Sequence, residues 1–143
     1  MTTHTSAPVP PKNLVSIRVI TDDVSRLVDF YERLTGMPVR RSTPDFAELQ
    51  TPAGTLAIAS TRTVALFGEG SARPADNHTA IIEFLVDDVD AEYNRIKQLP
   101  NDIVTEPTTM PWGNRSLLFR DPDGNLVNFF TPVTPTAIAK FGR

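Results

Sequence analysis

Phe119-Arg120-Asp121-Pro122-Asp123-Gly124-Asn125-Leu126-Val127-Asn128-Phe129-Phe130 sets a turn cluster, Pro122 to Asn125, between two short runs of Leu, Val and Phe. Proline presets φ for an early turn position, and glycine supplies a positive φ at no steric cost. The stretch therefore reads as a β-hairpin. A weaker copy stands earlier, Thr51-Pro52-Ala53-Gly54-Thr55-Leu56-Ala57-Ile58-Ala59-Ser60. Pro, Gly and Leu match when Asp121 is laid over Thr51, an offset of 121 − 51 = 70. The chain repeats itself.

The segments before each hairpin repeat as well. Leu14 to Ile20 is a β-rich run followed by Asp22-Asp23, and an aspartate there can cap the opening of a helix. Val24, Leu27, Val28, Tyr31 and Leu34 recur at helical spacing, with Gly36 as the stop. Strands follow near 38–42, 45–50 and 55–60, and 61–68 either continues as strand or crosses over. In the second half Thr79 to Val86 is a strand, Asp87-Asp88 caps, and Val89, Tyr93, Ile96 and Leu99 mark a helix. Strands are expected near 102–105, 115–120 and 125–131. Aligning the helix openings gives 87 − 22 = 65, so about five extra residues sit between Pro100 and Asn114, where Pro107, Pro111 and Gly113 predict irregular structure.

The expected organisation is a flexible arm (1–13), a first βαβββ module (14–68), a linker (69–78), a second βαβββ module (79–131) and a tail (132–143) that forms either a short helix near Ala137 or an arm. The fold class is α+β. Neither module can bury a sheet face alone, so the two should pair as one curved mixed sheet around a cleft, helices outside. The 143 residues are enough for one core, and the net charge of −3 lacks the basic stripe of a nucleic-acid binder. With no cysteine, thiolate metal sites and disulfides are excluded. Residues 1–13 have no apolar signal segment, and no run spans a bilayer, so the expectation is a cytoplasmic protein without a membrane partner.

Asp121-Pro122-Asp123-Gly124-Asn125, Phe30-Tyr31 in the first helix, Val86-Asp87-Asp88-Val89-Asp90 opening the second, and Pro111-Trp112-Gly113-Asn114-Arg115 together resemble the vicinal oxygen chelate superfamily. That superfamily includes glyoxalase I, extradiol dioxygenases, and bleomycin and fosfomycin resistance proteins. The resemblance implies four metal-ligand points, one on the first and one on the last strand of each module. They fall here at Ser16, Ile58, Ile81 and Asn128. None is a histidine or a carboxylate, so no metal cofactor is expected. A divalent ion in a rearranged site stays as the alternative. His78 is three residues from the Ile81 point, which puts it on the opposite strand face, and His4 lies in the arm.

Strand alternation groups Arg18 with Ser16 and Glu83 with Ile81. Arg18 and Glu83 are equivalent in the repeat, so they either pair with each other or clamp a polar ligand, with Arg18 a bidentate donor to a carboxylate. Trp112, on its Pro-Trp-Gly loop, either stacks on a flat ligand or plugs the loop. Asn128 and Phe130 share a face toward the cleft, while Arg115 reads as a brace. Arg40, Arg41 and Glu48 read as solvated strand positions. The leading expectation is a metal-free protein binding a small aromatic or amphipathic molecule. The lining would be Ser16, Arg18, Ile58, Ile81, Glu83, Trp112, Asn128 and Phe130. Alternatives are a glyoxalase- or dioxygenase-type enzyme with a rearranged metal site or Glu83 as general base, and a scaffold whose cleft is filled by Trp112 and Phe130. The resemblance also implies a homodimer, with the tail from Pro132 a candidate contact.

Overall fold

The computed structural model describes residues 8–142, so His4 and half of the arm lie outside the described residues. The first module runs β1 (Ser16–Thr21), α1 (Val24–Thr35), β2 (Arg40–Thr43), β3 (Phe46–Gln50) and β4 (Thr55–Ser60). A short α2 (Thr61–Val64) follows, so the segment after β4 leaves the sheet as a helical turn. The second module runs β5 (Ile81–Leu85), α3 (Val89–Ile96), β6 (Asp102–Thr109), β7 (Asn114–Arg120) and β8 (Leu126–Pro132), then α4 (Pro135–Lys140).

Both modules have the same strand order, β1-β4-β3-β2 and β5-β8-β7-β6. In each, the first strand pairs parallel with the last and the others pair antiparallel. The mixed sheet expected as one surface is thus two four-stranded sheets, with β1 and β5 as edge strands. β6 runs on to Thr109 through two register shifts, where irregular chain was expected. Pro107 is tolerated because β6 is the outer edge, where a missing N–H need break no ladder bond.

The helices form where the caps and apolar stripes dictate. Asp23 accepts from the Arg26 N–H at the start of α1, and Gly36 ends it with φ 70°. Asp88 accepts from Asp90 and Ala91 at the start of α3. Leu27, Val28, Tyr31 and Leu34 of α1 join Val89 and Ile96 of α3, Leu49 and Ile58 of the first sheet, and Leu117, Phe119, Val127 and Phe129 of the second in one hydrophobic cluster. Each such side chain, fully buried, contributes about 1.5–3 kcal/mol.

The deciding hairpin is also the joint between modules. Asp121 accepts the backbone N–H groups of Asp123 and Asn125, the Asn125 amide at 2.8 Å and the Tyr31 hydroxyl of α1 at 2.8 Å. Arg26 of α1 reaches Asp123 at 2.7 Å, and Asn77 of the linker donates to Asn125. Burial pushes the Asp121 carboxyl above its ordinary range, and burial with the Asp121 charge pushes the Tyr31 hydroxyl well above its own. Gly124 takes the positive φ, 82°, that closes the turn. Arg95 of α3 donates to the backbone carbonyls of Arg33 and Leu34, binding the end of α1 to the second module.

Candidate functional site

Directly paired residues point to the same face of a sheet. On the first sheet Ala47, Leu49, Leu56 and Ile58 face the core, so Arg18, Ala57, Glu48 and Arg40, paired across the four strands, face away from it. On the second sheet Glu83, Asn128 and Leu118 form the corresponding row. Structural equivalence therefore makes Ala57 the counterpart of Asn128. Ile58, expected in the cleft, is 0% exposed and lies in the core. The cause is a single residue. β4 begins directly after Gly54, at Thr55, whereas Asn125 intervenes between Gly124 and Leu126, where β8 begins. A one-residue slip moves a side chain to the opposite face.

With that correction the four family positions are Ser16, Ala57, Ile81 and Asn128. One hydroxyl and one amide do not make a donor set for a divalent ion. Among the described residues no three of His, Cys, Asp and Glu gather to hold one. His78 is an exposed linker side chain, 3.9 Å from Asp76.

A groove of about 250 Å³ lies where the edges β1 and β5 meet the turn before β4. Its walls are Leu14, Val15, Ile17, Leu56, Ile82 and Phe84, with Ser16, Thr51 and Thr55 also in the lining. Glu83 is the one ionisable residue lining it. The Glu83 Oε2 accepts from the Asn128 amide at 2.9 Å, while the Asn128 Oδ1 is buried and meets no donor. Ser16 and Glu83 thus both line the groove, Asn128 is bonded to Glu83 from β8, and Ile81 precedes Glu83 on β5 outside the lining.

Arg18 is not Glu83's partner. Its guanidinium carbon lies 5.2 Å from the Phe46 ring centre and 5.1 Å from that of Phe67, a cation–π clamp formed by β3 and the segment after α2. A second depression of about 290 Å³, lined by Arg18, Arg73, Asp76, Asn77 and Asn125, lies on the linker side of β1. Trp112 does not line the groove. It stands 67% exposed on the turn before β7. Phe130 is buried, its ring 5.3 Å from Phe141 of the tail, so tail and strand pack within one chain. Arg115 is the expected brace, gripping Asp90 with two bonds of 2.9 and 3.0 Å and holding the Asp90 carboxyl below its usual range. The ring pair around Arg18 escaped sequence reasoning because nothing local links residues 18, 46 and 67. The apolar walls of the groove left a signal only as alternate residues of β-rich runs.

Comparison with known proteins agrees with this geometry. The family model described as the Glyoxalase/Bleomycin resistance protein/Dioxygenase superfamily matches residues 13–129. The uncharacterized protein YwbC of Bacillus subtilis (strain 168) is 26% identical over 121 residues, 78% of this chain and 91% of its own. The crystal structure of a glyoxalase/bleomycin resistance protein/dioxygenase from Nocardioides superposes with a TM-score of 0.74 at 19% identity, covering 90% of this chain and 89% of that one. TioX from Micromonospora sp. ML1 superposes with a TM-score of 0.64 at 27% identity, covering 86% of this chain and 100% of its own.

Proposed function

The chain belongs to the glyoxalase/bleomycin resistance protein/dioxygenase superfamily, and on that premise we propose that it binds a small aromatic or amphipathic molecule without a metal. The observation that carries this reading is the groove between β1 and β5, apolar on nearly every wall and of a size for one ring system. Removing such a surface from water favours an apolar guest by about 25 cal/mol per Å². The donor set at Ser16, Ala57, Ile81 and Asn128 supports binding without metal.

A homodimer belongs to the same reading. Ile17, Ile81 and Leu85 are exposed on the two edge strands and Leu14 just before β1, and a second chain would cover them.

The test is an NMR titration with 1-naphthalenemethanol, a neutral aromatic probe, alongside elemental analysis and sedimentation equilibrium. Shifts centred on Ile17, Leu56, Ile82 and Phe84 are expected, and Ala53→Trp, which places a bulky ring on the groove's rim, should abolish them without unfolding the protein. Shifts centred elsewhere, or none, overturn the groove. Stoichiometric metal overturns the metal-free reading, and a monomer at all concentrations removes the dimer.

A further inference from the structure

We infer that the face of the first sheet turned away from the core carries a second binding site, separate from the groove, for an aromatic carboxylate, with the Arg18 guanidinium as its anchor. Strand pairing sets the place. Arg18 of β1 pairs with Ala57 of β4, and Phe46 of β3 pairs with Ala59, so all four look away from the core. Two alanines on that face of β4 leave room for the Arg18 side chain to cross the strand. Its guanidinium carbon ends 5.2 Å from the centre of the Phe46 ring, and the Phe67 ring comes within 5.1 Å of the same carbon. Ala57 and Ala59 are 3% and 0% exposed on this outward face, a burial that the longer side chains around them supply. None of Arg18, Phe46 and Phe67 lines the groove. The depression beside the linker is not this site either, since neither ring lines it.

The guanidinium is held in place, yet its donors are unused. Ring contact engages the positive charge and leaves the five N–H groups available. No hydrogen bond or ion pair of the described residues includes Arg18. Glu48 shares the face, but it stands directly opposite Arg40 in the β2–β3 ladder and forms no ion pair with Arg18. The row across the sheet thus sets two cations, Arg18 and Arg40, against one carboxylate. Arg18 is exposed and Phe67 is 74% exposed, so a cation and an apolar surface reach solvent side by side. A carboxylate takes two parallel bonds from a guanidinium fork, and a flat ring joined to it covers Phe67. Because the two rings already position a long side chain, less of its freedom is lost when the anion docks.

The experiment titrates the full chain with 1-naphthoate at pH 7 and low salt, read by NMR at the Arg18 side-chain N–H and the Phe67 ring. Both signals should shift with 1-naphthoate, and 1-naphthalenemethanol should leave the Arg18 signal in place. Arg18→Gln should weaken 1-naphthoate binding about tenfold or more. Arg18→Lys keeps the charge and the ring contacts but lacks the fork, so it should restore only part of the affinity. Two variants should bind as the parent does: Arg33→Gln, an equal loss of charge on α1 at the core side of the sheet, and Ala53→Trp at the groove's rim. Added salt should weaken binding in the parent protein. An unshifted Arg18 signal, or 1-naphthoate bound as tightly by Arg18→Gln as by the parent, overturns the site and leaves the groove untouched. Parent-like affinity in Arg18→Lys overturns the forked recognition, and loss of binding in Ala53→Trp moves the carboxylate to the groove.

Discussion

Asp121 is the residue on which the joint between modules turns, because its two oxygens accept four bonds and every donor is an N–H or O–H. An asparagine there keeps the shape but offers an NH₂ where Tyr31 and Asn125, or the two backbone groups, already donate. Leaving buried donors facing a donor costs about 1–3 kcal/mol for each group stranded. Asp121→Asn should therefore lose about 2–4 kcal/mol in urea unfolding. Tyr31→Phe, which strands only one acceptor site, should lose less. The two losses should be less than additive in a double-mutant cycle, since both break the same bond. Additive losses would show that Tyr31 and Asp121 act independently. At the same scale, the difference between Ala57 and Ile58 shows how finely strand position decides a role. One looks out from the sheet, and its neighbour fills the core.

Among the elements, α4 illustrates how the second module disposes of its own tail. Gly113, with φ 95°, accepts from the Val133 and Thr134 N–H groups, and Thr134 caps α4 by accepting from Ala137. A Cβ at Gly113 would stand 2.1 Å from the Thr134 Oγ1 and 3.0 Å from the Ala137 Cβ. Gly113→Ala thus adds a clash to a backbone conformation that L side chains rarely adopt, and it should detach α4 at a cost of about 2 kcal/mol or more. The readout is faster proteolysis within 133–142 and greater exposure of Phe130; a tail protected as in the parent protein would refute the assignment. The edge strands β1 and β5 matter for a different reason. Each leaves one side without a ladder, and the groove lies between them.

For the whole molecule, the decisive feature is that two repeats share one core. The hydrophobic cluster includes residues of both sheets and both long helices, and Arg95 and Asp121 bind α1 to the second module. Folding either half alone would expose the apolar face that the other covers. Urea unfolding of the full chain should therefore be one transition, the same by far-ultraviolet circular dichroism and by Trp112 fluorescence. A fragment ending at residue 78 should lack cooperative unfolding. Two separate transitions, or a stably folded fragment, would mean that the modules are independent domains. No helix among the described residues is long and apolar enough to cross a membrane.

The duplication, the βαβββ order, the caps at Asp23 and Asp88 and the stop at Gly36 were all legible in the chain as written. These are local properties: a cap needs one side chain and the next three residues, and a turn needs its own φ angles. The strand order, the division into two sheets and the face to which β4 turns its residues emerge only when the segments assemble. So do the partners of Arg18 and Glu83. Strand register is set by ladders between segments far apart in the chain, and one inserted residue, Asn125, was enough to turn Ile58 inward where alignment placed it in the cleft. Side-chain partnership depends on that register, so the ring clamp on Arg18 and the carboxylate held by Asn128 exist only once the sheets are assembled.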